Sequence, residues 1–164
     1  MLQFWKMTER LPQFDFRTAN ASDEEILLSW RNDPVTRAMS FNTDIVVLRD
    51  HHNWLEKSLN NPDRVLLIGL LENSPVGIVR FDMDSDKSSA EISVTLAPDV
   101  RGHHLGCPYI QSACNYYLNR LGRRIPIKAE IKPENIKSIK AFGRAGFKLQ
   151  DTKEDRLVYT LEVV

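Results

Sequence analysis

The sequence predicts an α+β fold built on a mostly antiparallel sheet, and three observations carry that expectation. Three apolar segments, 64–72, 76–83 and 90–98, follow one another through short polar turns, which is hairpin spacing. The segments after them run helix, strand, helix and a closing hairpin, which extends such a sheet rather than winding it doubly. Finally, 164 residues without repeat, low-complexity tract or linker make one domain, long enough to bury a core without staples. That domain is expected to span 1–164, with residues 1–12 as a flexible or loosely packed extension.

Residues 14–19, "FDFRTA", read as a short strand. The helix over 22–33 opens with Ser22 and Glu25 in capping-box spacing and should stop before Pro34, which disfavours helical geometry in its predecessor. A second helix, 47–61, has Leu48, Leu55 and Leu59 on one face and ends at Asn-Asn-Pro. The three central strands come next, the first nearly all apolar, as in a strand covered on both faces. A helix over 107–121, a strand over 125–131 and a helix over 135–147 ending near Gly146 lead to the hairpin of 147–152 and 156–164.

Composition excludes some functions. With 22 basic and 22 acidic side chains the chain lacks the surplus that general nucleic-acid binding needs. No apolar run approaches a membrane span, and the first residues lack a signal peptide's pattern, so a cytoplasmic protein is expected. Cys107 and Cys114, seven apart on one helix, would stand about 10 Å apart, beyond disulfide reach, and are expected as free thiols in a reducing compartment. Charge is uneven, however: Arg101 to Lys148 holds ten Lys or Arg against Glu130 and Glu134. That surplus is either a solvated face or a site for a polyanionic ligand.

The stretch "APDVRGHHLGCPYI", 97–110, joins a strand to a helix through two glycines. A helix N-terminus presents unpartnered N–H groups and partial positive charge, so it can hold a phosphate if the preceding loop allows close approach. Gly102 and Gly106 would give that access, Arg101 adds a charge, and Pro108 in the first turn loses only an N–H without a partner. Pro98 cannot donate to a neighbouring strand, so pairing should lapse there and leave backbone free for an extended ligand.

On these residues the chain resembles the GNAT acetyltransferase superfamily. Arg101, Gly102, His103, His104, Leu105 and Gly106 resemble its acetyl-CoA loop, with His104 where the family usually has glycine. Asn135, Ser138, Phe142, Gly146 and Phe147 resemble its second motif, with Phe142 where a tyrosine acid often stands. The resemblance runs from about residue 14 to the end. It implies a seven-stranded mixed sheet flanked by helices and splayed between the fourth and fifth strands. It also implies acetyl-CoA as cosubstrate, with 101–106 around the pyrophosphate, the pantothenate arm beside Val94, Thr95 and Leu96, and no metal. His103 and His104 are expected as loop residues beside the phosphates, His104 under strain.

Acyl transfer to an amine needs a neutral amine, a stabilised oxyanion and a proton for the thiolate. Glu91 is the first candidate for the base, since a carboxylate amid apolar strand neighbours is costly without solvation or a task. A histidine is the alternative, and what replaces the usual tyrosine at Phe142 stays open. "WRND", "FN", "VGIVRFD" and "AEISVTLAP" resemble the subgroup that acetylates UDP-4-amino-4,6-dideoxy sugars on the route to pseudaminic and related nonulosonic acids. By that resemblance Trp30, Arg31 and Asn32 flank the acceptor, with Arg31, Arg37 or Arg80 toward phosphates and Trp30 or Phe41 toward sugar or base. Acetylation of a protein N-terminus or ribosomal protein is the alternative activity, and a non-catalytic acyl-CoA-binding module the alternative class. Residues 156–164 could offer an edge strand to a second copy, making a homodimer.

Overall fold

The computed structural model describes residues 11–164. The first ten residues of the expected N-terminal extension lie outside the described residues. One seven-stranded sheet forms the body. Its strands are β1 (Asp15–Thr18), β2 (Arg64–Leu71), β3 (Ser74–Met83), β4 (Ala90–Leu96), β5 (Ile127–Ile131), β6 (Lys148–Thr152) and β7 (Leu157–Leu161). They lie in the order β1-β2-β3-β4-β5-β7-β6, antiparallel everywhere except between β4 and β5. Strand β7 is therefore interior, and the C-terminal segment does not supply an edge. The free edge at that end is β6, because the hairpin folds back outside β7.

Among the described residues five α-helices cover the sheet: α1 (Glu24–Asn32), α2 (Pro34–Met39), α3 (Leu48–Leu59), α4 (Gly106–Leu121) and α5 (Ile136–Arg144). Strand alternation divides the residues between the two faces. Leu67, Val79, Phe81 and Ile92 are buried on the face covered by α4, where Phe81 stacks on Tyr117 at 4.1 Å between ring centroids. Tyr109 of α4 lies flat enough on β2 and β3 that a Cβ on Gly69 would sit 2.3 Å from its ring. Glycine at 69 and 77 thus fixes how closely α4 approaches, and through α4 the position of the loop before it. Residues 64, 66, 78, 80, 82, 91, 93 and 95 occupy the other face, shared with α1 and α3.

Several elements differ from expectation. The N-terminal cap is Asn20 with Asp23, not Ser22 with Glu25. A 3-10 turn over Ala21–Asp23 precedes α1, Asn20 Oδ1 accepts from Ser22 N at 2.9 Å, and Asp23 is held by Arg17. Pro34 does end α1, but it also opens α2 in the first-turn position, with Asp33 as cap. In α3 the buried face is His51, Leu55 and Ser58. Leu48 and Leu59 are exposed, because Arg64 Nη1 draws the Ser58 hydroxyl inward (2.9 Å) and His51 stacks on Trp54. Both cysteines are free thiols, and burial pushes Cys114 up to about 12.

Candidate active site

The site begins where the sheet fails. β4 and β5 share two pairs, Ala90 with Ile127 and Glu91 with Lys128, and then part. Ala90 N donates to Pro126 O on the β5 side, whereas Ala97 N donates to Val76 O on the β3 side. Backbone groups alternate along a strand, so Ile92, Val94 and Leu96 turn theirs into the opening. Thr95 turns its backbone toward β3 and offers the cleft its side chain instead. The opening widens into a cleft of about 1350 Å³ that reaches from α1 and α3 across to α5.

At one end of the cleft stands the loop from Arg101 to Gly106. Gly102 has φ +80°, a left-handed conformation with nothing within 4 Å of a built Cβ. His104 adopts φ +57° with a side chain, lines the cleft, and carries the strain its position implied. His103 is exposed and does not line the cleft. Leu105 caps α4 without a side-chain bond, which leaves the first-turn N–H groups uncapped by the chain's own side chains. A Cβ on Gly106 would meet the Ala141 methyl at 3.1 Å, so this glycine also serves the approach of α5 to α4. The Arg101 guanidinium points away from the loop: Nη1 donates to Asp33 Oδ2 (2.6 Å), and Nη2 to Thr36 Oγ1 (2.6 Å) and Leu96 O (3.2 Å).

Helix α5 forms the opposite rim. Asn135 Oδ1 accepts from Ser138 N (3.3 Å) and caps the helix. Phe142 is buried edge-to-face on Phe147, centroids 5.0 Å apart, so it packs the core while one side lines the cleft. Lys137, Lys140 and Arg144 also line the cleft. Their spacing of three and four places them on one helical face, a stripe the sequence displays but its motifs do not mark.

The other end is built from side chains. Glu91 opens onto the cleft yet is surrounded by enough protein that burial raises its carboxyl, helped by the negative charge of Glu130 and opposed by Arg80. Arg80 Nε lies 2.8 Å from Asp82 Oδ2 without a well-directed hydrogen bond. Trp30 is 5% exposed, a core residue with a face on the cleft. Arg31 Nη2 donates to Asn42 O (2.8 Å), while its Nη1 is buried without a partner among the described residues. Asn32 is spent on structure: its amide clasps Val46 through both backbone groups at 2.8 Å. Arg37 Nε donates to Thr43 O (3.1 Å). Neither Asn32 nor Arg37 lines the cleft. Phe41 lies under the Arg156 guanidinium, 4.2 Å from ring centroid to Cζ, and Arg156 pairs with Glu130.

Sequence reasoning missed Glu130, Arg156, His51 and Trp54. His51 is 3% exposed, lines the cleft, and has Nε2 unpartnered; burial pushes its ring below the usual histidine range. The unpartnered Nε2 keeps hydrogen-bonding capacity that no described residue uses. Nothing local signals these residues, which lie on α3, on β5 and in the turn before β7. Among the described residues no cluster could hold a metal, and no helix is long and apolar enough to cross a membrane.

A sheet split at its fourth strand beside an uncapped helix N-terminus, facing a partly desolvated carboxylate, suits transfer of an activated group to a nucleophile. Over residues 13–148 the chain matches the acetyltransferase (GNAT) domain family, and it belongs to that family. A comparison with curated proteins gives no sequence match. Solved structures share the fold. The aminoglycoside acetyltransferase AAC(6')-Ib with ribostamycin and coenzyme A is 19% identical, with TM-score 0.79 over 91% of this chain and 92% of that one. Spermidine N-acetyltransferase from Vibrio cholerae with CoA and spermine is 16% identical, TM-score 0.78, over 90% and 93%. The Campylobacter jejuni N-acetyltransferase PseH is 16% identical, TM-score 0.70, over 92% and 99%.

Proposed function

We propose that residues 1–164 act as one domain that moves an acetyl group from acetyl-CoA to a primary amine, preferably the 4-amino group of a UDP-4-amino-4,6-dideoxy sugar. The observation that carries the reading is the open backbone of β4 running from Glu91 to the uncapped N-terminus of α4. The residues fit the cosubstrate. Gly102 leaves its side of the loop clear, the α4 N–H groups suit a pyrophosphate, and Lys137, Lys140 and Arg144 suit further phosphate charge. The Val94 carbonyl and the Leu96 N–H are left for the amides of a pantetheine arm, the Leu96 carbonyl already accepting from Arg101 Nη2. Bound there, acetyl-CoA supplies an acetyl group activated as a thioester.

Glu91 takes the proton from the acceptor amine, directly or through water; its raised carboxyl is matched to that task better than an ordinary glutamate. Val94 N–H donates to the developing oxyanion. As the N–C bond forms the C–S bond breaks, and coenzyme A leaves as a thiolate that takes its proton from solvent. The acceptor sits between Trp54, Phe41 and Arg80. Arg31 and Arg80 both line the cleft, and their positive charge favours an acceptor that carries phosphate over a cationic polyamine. PseH and spermidine N-acetyltransferase share the fold alike, so this chemistry, not the likeness, supports the sugar nucleotide.

The test is acetyl-CoA-dependent thiol release with the UDP-amino sugar beside peptide and polyamine panels. Release with the sugar alone supports the reading. Release with peptides alone moves it to protein acetylation. Binding of acetyl-CoA without release to any amine leaves a non-catalytic module.

A further inference from the structure

Arg101 opens the loop whose backbone faces the cleft, yet its charge is already spent. Asp33 Oδ2 accepts from Arg101 Nη1 at 2.6 Å and from Thr36 N at 3.0 Å, so one carboxylate oxygen both caps α2 and holds the guanidinium. Nη2 adds Thr36 Oγ1 and Leu96 O. The two side chains are only 26% and 17% exposed, which shields the pair from water. The hydrogen bond from Arg101 holds the Asp33 carboxyl below the usual carboxylate range, so the pair is charged across physiological pH.

A planar guanidinium with three fixed acceptors sets orientation as well as distance. Here it sets α2 against the end of β4. The far end of α2 is tied to the other lip of the split sheet, because Lys132 Nζ, just past β5, donates to Ala38 O at 3.1 Å. Helix α2 therefore spans the opening, with its start on β4 and its end on β5.

Resting on the acetyl-CoA reading above, we propose that the Arg101 side chain is a positioning group and not a phosphate ligand. With Asp33 it makes α2 a crossbar that sets the width of the opening and the posture of residues 101–106. Acceptor-side damage at Asp33 then reaches the cosubstrate end.

The two accounts predict opposite signs. If Arg101 bound phosphate, Asp33→Asn would release its charge and tighten acetyl-CoA binding. As a crossbar, Asp33→Asn weakens acetyl-CoA binding about tenfold, the loss of one charge-assisted hydrogen bond. Asparagine remains a good helix cap, so α2 should stay formed. Arg101→Lys, which keeps charge but not the fork, should weaken binding to a similar degree and leave its salt dependence unchanged. The double variant should be little worse than either single one.

Calorimetric titration with acetyl-CoA at two salt concentrations reads these outcomes, and amide exchange of 92–106 in ligand-free protein reads the loop directly. Weaker binding with faster exchange supports the crossbar; tighter or unchanged binding overturns it. If the parent protein binds no acetyl-CoA, the functional reading fails by itself. The crossbar is then judged by exchange alone, and unchanged exchange in Asp33→Asn would sink it.

Discussion

The two ends of the cleft are made of different materials. The α4 end is mostly main chain: a left-handed glycine, uncapped N–H groups, and a strand edge without a neighbour. The Glu91 end is mostly side chain, held by contacts between distant parts of the sequence: Arg31 to Asn42, Asn32 to Val46, Arg156 to Glu130 and Phe41. Main chain presents the same groups whatever the residue, so the first end suits a ligand that never changes. Side chains can be exchanged singly, so the second end suits a partner that differs between relatives.

If this division holds, substitutions should sort by end. The largest effect is expected from Glu91→Gln, which should lower kcat by about 10²–10⁴-fold while acetyl-CoA Kd stays put; a matching loss of acetyl-CoA affinity would break the comparison. Asn32→Ala removes both bonds to Val46 and should raise the acceptor KM by about tenfold, again with little change at the other end in a direct binding titration.

A pH profile sharpens the Glu91 end further. Burial and then Glu130 raise the Glu91 carboxyl, so a base there ionises later than an ordinary glutamate as pH rises. Glu130→Gln removes a repelling charge and so lowers the Glu91 pKa. The acid limb of kcat/KM should move to lower pH. Arg80→Met removes an attracting charge and should move it to higher pH. A limb that ignores both substitutions belongs to another group. The smallest effect is expected at the α4 end: His104→Gly removes a left-handed side chain and should tighten acetyl-CoA binding about two- to five-fold.

The same division decides what could be read before folding. The succession of strands and the loop before α4 were legible because their signals are local: hairpin spacing, Gly102 and Gly106. The split was implied by the family resemblance, whereas Pro98 marked the wrong place, since β4 and β5 part just after Glu91. Arg101 shows the limit of such signals, since its place in the loop was visible but its partner, 68 residues away at Asp33, was not. Asn32 and Arg37 stand beside the site in sequence yet serve the 42–46 segment in space. Glu130 and His51 carry no motif, and only the sheet register and the packing of α3 bring them to the cleft. Leu48 shares its helical face with the buried His51 and Leu55 yet is exposed at the first position of α3, so sharing a face does not by itself bury a residue.

The two-rung seam has a consequence for the molecule as material. A sheet joined at its middle by Ala90 and Glu91 alone resembles a page torn almost through, with α4 and α5 as the binding that keeps the halves together. Whatever lies along the tear acts as a stitch. At a hundred times its Kd a cosubstrate seated there would contribute about 2.7 kcal/mol to folding. The heat tolerance of this protein would then rise and fall with the supply of the compound it consumes.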